Sequence, residues 1–301
     1  MKVLITGGAG FVGAYLAAEC VAAGHVAVPV DRIGEVTLDI TDRPAVQEAF
    51  EKIRPEVVYH LAALAHVGDS WNDPTNVLRV NIEGTANVLD AARACGARRV
   101  IVIGSSEEYG FVEPEDLPLR EDSPLRPSTP YGVSKIAASF LALQAHIAHG
   151  LDVVRVRPFS HTGPGQSSQF LVPALAQRIA IAERDRADEI VVGSLDPVRD
   201  ISDVRDVVRA YRLLAERGTP GAVYNVCSGT GVTVREITER LIAAARRPLR
   251  ITVDPALVRP IDVPRFVGDS TLLRRDTGWQ PEHPLDETLA DVLEHARAHL
   301  T

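Results

Sequence analysis

The sequence predicts an α/β fold, a doubly wound parallel sheet with a smaller C-terminal substrate-binding lobe. Two observations lead to this prediction: short apolar runs alternate with longer amphipathic stretches, and a glycine-rich segment follows the first apolar run. Continuous apolar strands separated by helices are typical of a parallel sheet that is covered on both faces. The ligand crevice of such a sheet lies at the carboxyl ends of its strands, and we expect the functional residues there.

The first half of the chain supplies most of the predicted sheet. Runs of mostly β-branched residues predict strands at 3–6, 26–30, 57–61, 100–103 and 153–156. Apolar residues recur at helical spacing between them, which predicts helices near 12–23, 42–53, 75–95 and 132–149. Strands and helices therefore alternate in the order that builds a parallel sheet.

The character of the chain changes after about residue 157. Segments rich in Gly, Pro, Ser and Arg at 158–170, 193–203 and 254–268 separate helices predicted near 170–185, 204–217, 233–246 and 284–299. Residues 222–226 predict one more buried strand that returns to the main sheet. We therefore predict a first domain of residues 1–157 plus a strand near 222–227, and a substrate lobe of residues 158–221 and 228–301.

The overall composition narrows the class of protein. The chain has 301 residues, of which 46% are hydrophobic and 24% charged, as in ordinary globular enzymes. The net charge of -8 argues against nucleic acid as a partner, and no apolar stretch reaches the ~18 residues of a membrane span. The three cysteines form no metal or disulfide spacing, so we expect a cytoplasmic protein without a metal site.

A glycine-rich loop connects the first strand to the first helix. Gly7, Gly10 and Gly13 recur at every third residue, and Phe11 and Val12 open the helix. Glycines in this position let the backbone approach a pyrophosphate, which binds the free N–H groups of the helix N-terminus. We therefore predict a dinucleotide-binding domain of the Rossmann type.

Acidic residues near the second strand bear on the choice of cofactor. Asp31 ends that strand, where a carboxylate accepts hydrogen bonds from the ribose hydroxyls of NAD and repels the 2′-phosphate of NADP. Arg32 could instead pair with that phosphate, and Asp39 could contact the adenosine. The pattern favours NAD(H) and leaves NADP(H) open.

A tyrosine and a lysine lie four residues apart in the fourth predicted helix. Tyr131 and Lys135 therefore project from one face of that helix. Lysine is rare here, since the 32 basic residues include just three lysines, and a chance pairing at this spacing is correspondingly rare. A phenol ionises near ~10, and a neighbouring ammonium favours the phenolate. We expect Lys135 to lower the pKa of Tyr131 for acid–base catalysis.

The fourth predicted strand runs into a group of polar residues. Ser105, Ser106 and Glu107 follow it directly, which places two hydroxyls and a carboxylate at the ligand edge of the sheet. Ser105 could hydrogen-bond a carbonyl that Tyr131 protonates, and Ser106 is a second candidate for that contact. The remaining residues that we expect to line the cofactor site are Ile40, Leu61, Ala62, Ala63 and Pro158.

Together these motifs resemble the extended short-chain dehydrogenase/reductases that act on nucleotide sugars, the NAD-dependent epimerase/dehydratase family. The Thr-Gly-x-x-Gly-x-x-Gly pattern matches Thr6 to Gly13, and the likeness runs from Met1 to about Leu300. The resemblance implies that Lys135 also holds the nicotinamide ribose. It further implies a homodimer built through helices near 75–95 and 131–149.

Within that family the chain is most similar to the reductases that convert GDP-4-dehydro-6-deoxy-D-mannose to GDP-D-rhamnose. The segment Arg157 to Gln166 carries much of this likeness, although Ser160 stands where those enzymes usually have Asn. Arg199 and Arg259 occupy positions similar to the arginines that bind the substrate pyrophosphate. His66 is a further candidate for the sugar site. The implied ligand is a nucleotide diphosphate sugar, with GDP favoured.

Three other functions stay open at this point. The related 4,6-dehydratases use a glutamate at the position of Glu107, so a GDP-mannose 4,6-dehydratase, or an enzyme with both activities, is the first alternative. A nucleotide-sugar 4-epimerase is the second. A catalytically idle dinucleotide-binding regulator is the third, although such proteins commonly lose the tyrosine, lysine or hydroxyl that this chain retains.

Overall fold

The computed structural model describes residues 1–257 and 263–300 as two interwoven parts. Its strands in chain order are β1 (Lys2–Thr6), β2 (Val26–Val30), β3 (Val57–His60), β4 (Arg99–Ile103), β5 (Val153–Pro158), β6 (Ser160–Thr162), β7 (Glu189–Val192), β8 (Val198–Asp203), β9 (Val223–Val226), β10 (Gly231–Thr233), β11 (Arg250–Val253) and β12 (Arg265–Phe266). Its helices are α1 (Phe11–Ala22), α2 (Arg43–Ile53), α3 (Pro74–Leu78), α4 (Gly84–Ala94), α5 (Pro130–His149), α6 (Leu171–Asp185), α7 (Val204–Arg217), α8 (Val234–Ala243), α9 (Thr271–Thr277) and α10 (Leu285–Ala298).

The main sheet has the strand order β2-β1-β3-β4-β5-β9, and all its pairs are parallel. The chain reverses its direction of travel across the sheet between β1 and β3, which opens a crevice at their carboxyl ends. The glycine-rich loop follows β1 and therefore lies at this point. The predicted fold class is confirmed, and residues 223–226 do return to the main sheet as its edge strand.

Helices cover both faces of the sheet, because the strands are apolar on both sides. Helices α2, α4 and α5 pack on one face, around Phe50 and Val88. Helices α1, α7 and α9 pack on the other face, around Leu16 and Trp279. Helix α7 falls within residues 158–221, which we expected in the substrate lobe. Its apolar side instead buries Val207 and other residues on the sheet, so we assign α7 to the first domain.

The substrate lobe has a core of its own. Helices α6, α8 and α10 pack around residues such as Ile179 and Leu293. Beside them lie a mixed four-stranded sheet of β6, β8, β10 and β12 and a pair formed by β7 and β11. We expected 193–203 to be a connecting segment, but Val198–Asp203 forms β8. Its buried Asp200 accepts hydrogen bonds from the backbone of Ser228 and Gly268, which makes a polar sequence compatible with a buried strand.

The single helix predicted near 75–95 is divided in the structure. A π-helical turn, Arg79–Glu83, separates α3 from α4. Within this turn, the side-chain oxygen of Asn81 accepts a hydrogen bond from the backbone N–H of Leu64 at 2.8 Å. The side-chain NH₂ of Asn81 donates to the hydroxyl of Ser134. These tertiary bonds account for a widened turn that the helical spacing of apolar residues does not reveal.

Within residues 1–257 and 263–300, no helix has the length and apolar character needed to cross a bilayer. The three cysteines are free thiols, with Cys20 and Cys227 buried.

The two tryptophans offer a direct test of the core beneath the sheet. Trp279 is fully buried and its indole N–H donates to the carbonyl of Asp206 at 2.9 Å, whereas the side chain of Trp71 is exposed. We expect Trp279→Ala to lower the free energy of unfolding by about 3–5 kcal/mol, because it leaves a cavity and an unpaired carbonyl. Trp71→Ala is the matched control and should change it by less than about 1 kcal/mol. Urea unfolding followed by circular dichroism measures both, and equal losses would contradict the described packing.

Candidate active site

One cleft of about 720 Å³ opens at the carboxyl ends of the main strands and runs into the substrate lobe. It brings together all the predicted site residues that lie in the described part of the chain. They are Gly7, Gly10, Phe11, Val12, Gly13, Asp31, Arg32, Asp39, Ile40, Leu61, Ala62, Ala63, His66, Ser105, Ser106, Glu107, Tyr131, Lys135, Pro158, Ser160 and Arg199. Arg259, the other predicted substrate residue, lies outside the described residues.

The glycine loop is shaped as a cradle at the N-terminus of α1. Gly7 has a φ of 73°, and a Cβ there would lie 2.8 Å from the backbone nitrogen of Ala62. A Cβ on Gly13 would collide with the carbonyl oxygen of Gly7, so α1 packs this close to the loop because glycine occupies the position. No side chain caps the first turn of α1, which leaves its N–H groups available to an anion. The loop therefore fits a dinucleotide pyrophosphate.

The end of the cleft beside β2 combines carboxylates with guanidinium groups. Asp31 accepts hydrogen bonds from the backbone of Ala9 at 3.2 Å and of Arg32 at 2.7 Å, so it holds the glycine loop. Hydrogen bonds from Thr41 lower the pKa of Asp39, and Arg32 and Arg79 lower it further. Arg79 lines the cleft but follows no sequence motif, and its spacing in a predicted helix offered no signal. These groups could serve either cofactor.

Helix α5 presents the tyrosine and the lysine at the centre of the cleft. Thr129 caps the helix by accepting a hydrogen bond from the backbone of Gly132 at 3.0 Å, which fixes its first turn. Tyr131 and Lys135 are both buried, and the Lys135 ammonium donates to the carbonyl of Ile103 at 2.7 Å. The lysine is thus tied to the end of β4 and lies 5.9 Å from the centre of the Tyr131 ring.

Burial dominates the protonation of this pair. Burial raises the pKa of Tyr131, a hydrogen bond with Ser105 lowers it, and the charges of Glu107 and Glu108 raise it further. Our expectation that Lys135 lowers this pKa is not met. Burial lowers the pKa of Lys135 itself to about 8, against a smaller opposing effect of Glu108. The phenol is therefore protonated at neutral pH, next to a lysine whose charge is sensitive to pH.

The serine that bonds Tyr131 is held by a buried ion pair. Glu108 Oε1 accepts a hydrogen bond from the backbone N–H of Ser105 at 3.0 Å, and Glu108 Oε2 accepts one from Arg157 at 2.8 Å. Both charged side chains are almost wholly buried. The neighbouring Glu107 lines the cleft instead. The family resemblance pointed to Glu107, which does line the cleft, whereas no sequence signal identified Glu108 as the partner of Arg157.

The predicted substrate residues lie where the cleft enters the second lobe. The ring of His66 meets Phe170 edge-on at 6.0 Å between centroids, so the two loops that carry them approach each other. Ser160 is exposed at the start of β6. Arg199 on β8 donates to the carbonyls of Val198 and Val263, both at 2.9 Å, and lines the cleft.

The part of the chain that the structure describes contains no cluster of metal-ligating side chains. No three side chains of His, Cys, Asp or Glu come together there in a way that could hold a metal ion.

Comparison with known proteins identifies close relatives over the whole chain. The profile of the family described as GDP-mannose 4,6 dehydratase matches residues 4–292. GDP-6-deoxy-D-mannose reductase of Pseudomonas aeruginosa is 37% identical, over 97% of this chain and 96% of that protein. The structure of RMD from Pseudomonas aeruginosa complexed with NADPH matches with a TM-score of 0.92 and 35% identity, covering 99% of each chain. The Thermus thermophilus UDP-glucose 4-epimerase complex with NAD matches at 0.88 and 29%, covering 100% of both chains.

The lowered pKa of Lys135 predicts how stability depends on pH. The folded state binds fewer protons at this group than the unfolded state between pH 8 and the ordinary lysine value of about 10.5. Burial of the charged lysine therefore lowers the free energy of unfolding by its full amount below pH 8. This penalty becomes smaller as the pH rises from 8 to about 10.5. We expect Lys135→Met to gain stability relative to the wild type at pH 7, and to lose about 2 kcal/mol of that gain by pH 10.

The control for this prediction is Lys52→Met, since Lys52 is exposed on α2. Chemical unfolding at pH 7, 8, 9 and 10 gives the difference in free energy of unfolding between each variant and the wild type. A difference for Lys135→Met that stays constant with pH would contradict the predicted titration.

Proposed function

The chain belongs to the GDP-mannose 4,6-dehydratase family, and from that premise we propose that it is a nicotinamide-dependent reductase of a 4-keto-6-deoxy nucleotide sugar. The substrate that fits best is GDP-4-dehydro-6-deoxy-D-mannose, and the product is GDP-D-rhamnose. This is the reaction class named for the Pseudomonas aeruginosa relative, which shares 37% of its residues with this chain. The same cleft holds the cofactor and the sugar.

The proposed roles follow from the positions of the side chains. A bound nicotinamide cofactor supplies a hydride to the 4-keto carbon of the sugar. Tyr131 donates a proton to the oxygen of that group, and Ser105, its hydrogen-bond partner, orients and polarises the carbonyl. Lys135 holds the ribose of the cofactor, while its bond to Ile103 fixes its position.

The observation that carries the proposal is the placement of Tyr131 and its hydrogen-bond partner Ser105 beside Lys135 in the cleft. A ketone becomes an alcohol when a hydride reaches its carbon and a proton reaches its oxygen, and the phenol of Tyr131 is placed to give that proton. The choice of reduction over dehydration or epimerisation rests on the Pseudomonas aeruginosa relative, which is named as a reductase.

Binding of the nucleotide diphosphate is proposed to depend on arginine. Arg199 lies on β8 at the entrance of the cleft to the substrate lobe, where a guanidinium can bind phosphate oxygens in a bidentate manner. Arg199, with Arg259 as the second arginine that the family resemblance implies, would hold an anionic substrate on a protein whose net charge is -8. GDP is the nucleotide named in the family description and in the name of the Pseudomonas aeruginosa relative.

Both nicotinamide dinucleotides remain compatible with the cleft, because relatives of known structure hold NADPH or NAD. Asp31 favours the free ribose of NAD. Arg32 and Arg79 act together on Asp39 at the same end of the cleft and could neutralise a 2′-phosphate. A cytoplasmic location is proposed on the free cysteines, which suit a reducing compartment.

A second candidate function is the 4,6-dehydratase, and the position of Glu107 favours it. This carboxylate lines the cleft and acts on the charge state of Tyr131. A base in that position could remove a proton from the sugar during loss of water. The two functions differ in what they do with GDP-mannose, because the reductase needs a keto sugar to start.

The test of the proposed function uses the purified full chain and two substrates. With GDP-4-dehydro-6-deoxy-D-mannose and NADPH or NADH, we expect consumption of the cofactor and a product heavier by two hydrogens in mass spectrometry. Tyr131→Phe should lower kcat by about 10²–10⁴-fold, because the proton donor is lost, while cofactor affinity is retained. Loss of cofactor affinity in that variant would contradict the assigned role.

The second arm supplies GDP-mannose without added cofactor. Formation of the 4-keto-6-deoxy sugar would overturn the proposal that the chain is a reductase alone. In that case Glu107→Gln should abolish the elimination, whereas it should leave the reduction of the keto sugar largely intact.

A homodimer is proposed on an apolar stripe along α5. Val133, Phe140 and Ile147 recur every seven residues and are 44%, 51% and 75% exposed. A stripe of this kind on one helix is self-complementary around a two-fold axis. It continues the surface that the family resemblance implies for dimer formation.

The apolar stripe can be tested by introducing charge. We expect Phe140→Glu to convert the dimer to a monomer at micromolar concentration, because a buried unpaired carboxylate is costly at an interface. Phe111→Glu is the control, since Phe111 is similarly exposed but lies on a different element. Sedimentation velocity measures both, and a wild type that is already monomeric would refute the proposed dimer.

A further inference from the structure

Two glutamates follow β4 in direct succession, and their surroundings differ. Glu107 lines the cleft, whereas Glu108 is 0% exposed and is not among the described residues that line it. Burial raises the pKa of Glu108, and the charge of Arg157 opposes this effect. A carboxylate that is costly to bury and does not line the cleft calls for a physical reason.

Both oxygens of the Glu108 carboxylate are engaged by protein groups. Oε1 accepts a hydrogen bond from the backbone N–H of Ser105 at 3.0 Å, and Oε2 accepts one from Arg157 Nε at 2.8 Å. Arg157 is fixed in turn, because its Nη1 donates to the hydroxyl of Tyr109 and to the carbonyl of Glu121, each at 3.1 Å. The carboxylate is therefore held between an anchored guanidinium and one backbone group.

The local sequence lets Glu108 fold back onto Ser105. Ser105 caps the short 3₁₀ turn Ser106–Glu108, and the carboxylate at the end of this turn returns to the backbone of the cap residue. Gly104 provides the space, since a Cβ there would collide with Glu108 Oε1 and with the carbonyl oxygen of Val156. The return of the carboxylate therefore requires a glycine at position 104.

The same turn decides which hydrogen bond the Ser105 hydroxyl makes. Its oxygen accepts from the backbone N–H of Glu107 at 3.1 Å, which leaves the hydroxyl proton to be donated elsewhere. Ser105 lines the cleft beside Tyr131. Burial raises the pKa of Tyr131 and the bond with Ser105 lowers it, as expected when the serine is the donor. The turn thus holds Ser105 as a donor toward the cleft.

We propose that Glu108 is a positioning residue for the reduction. Through its bond to the backbone of Ser105, and with Arg157 as its anchor, it holds the Ser105 hydroxyl where that group donates to the carbonyl being reduced. Such a donor stabilises the transition state when it is aimed at the oxygen on which charge develops, and a displacement of about 1 Å can cost about 10²-fold in rate. The inference rests on the proposed function, because it takes a keto sugar as the substrate that Ser105 contacts.

The experiment removes the ion pair as a unit, with and without the serine hydroxyl. Glu108→Leu combined with Arg157→Met replaces two opposite charges by apolar side chains of similar size, which avoids an unpaired buried charge. Reduction of GDP-4-dehydro-6-deoxy-D-mannose gives kcat and KM for the wild type, this pair variant, Ser105→Ala and the triple variant. We expect the pair variant to lower kcat about 10–100-fold and to change KM less than about twofold. It should have almost no further effect once Ser105 is alanine, because the two act as one unit.

The matched control is an ion pair at the opposite end of the same two strands. Arg99 begins β4 and Asp152 precedes β5, with 2.8 Å between Arg99 Nη2 and Asp152 Oδ2. Neither is among the described residues that line the cleft. We expect Arg99→Met combined with Asp152→Leu to lower the Tm and to leave kcat unchanged.

A second measurement follows the anchor without catalysis. Hydrogen exchange by mass spectrometry, on peptides that cover residues 104–109, includes the backbone N–H of Ser105 that donates to Glu108. We expect this segment to exchange about tenfold faster in the pair variant than in the control variant. If the pair variant does not fold, Arg157→Lys keeps a cation beside Glu108 but loses the fixed fork. It should lower kcat less than removal of the pair, and again only when Ser105 is present.

The proposal fails on any of three results. The same factor lost from kcat with and without the Ser105 hydroxyl would show that the pair acts by another route. An equal loss of kcat in the control variant would mean that any weakening of the sheet slows the reaction. Unchanged exchange of residues 104–109 in the pair variant would mean that Glu108 does not hold Ser105. A wild type that reduces no keto sugar would overturn the proposed function and the role in reduction, and the exchange result would then decide separately whether Glu108 holds the serine.

Discussion

The ion pair between Glu108 and Arg157 joins the carboxyl ends of three neighbouring strands, and the geometry of the active site depends on it. Glu108 follows β4, Arg157 lies on β5, and Arg157 also donates to Tyr109, whose hydroxyl donates to Asn225 on β9. One oxygen of Glu108 is left to hold the backbone of Ser105. Removal of either charged side chain would leave the other charge buried without a partner, at a cost of about 3–5 kcal/mol. Ser105 is therefore held, through Glu108, by bonds that reach across all three strands.

A second polar network holds the opposite side of the crevice without any charge. His60 at the end of β3 lies between the hydroxyls of Thr6 and Thr85, at 2.8 and 2.9 Å, and Thr85 bonds the carbonyl of Asn81. Asn81 in turn bonds Ser134 in the catalytic helix at 2.9 Å. Burial, with the charge of Lys135, lowers the pKa of His60 to about 3, so the imidazole is neutral and joins the glycine loop to α5 without repelling the lysine.

How much of this was predictable from the sequence differs between the fold and the site. Strand and helix positions in the main sheet follow from apolar periodicity, and Val26–Val30 and Val204–Arg217 appear with the expected bounds. The strand at Val198–Asp203 did not, because its buried polar residues are paired by segments far away in the chain. Tyr131 and Lys135 are visible as a motif since one helix carries both. Arg79 and Tyr211 reach the cleft from separate elements and have no common spacing.

The surroundings of each buried basic residue also explain why a lysine is kept at position 135 in a chain so rich in arginine. Lys135 occupies a buried position where a single ammonium donates to the carbonyl of Ile103, and burial brings its pKa to about 8. A guanidinium would bring a planar group with five N–H donors, most of which would have no acceptor there, and it would keep its charge at every relevant pH. At Arg157 the demands are the reverse, since Glu108, Tyr109 and the carbonyl of Glu121 accept from one fixed fork. The choice between the two basic residues therefore follows the number and geometry of the acceptors that each buried position presents.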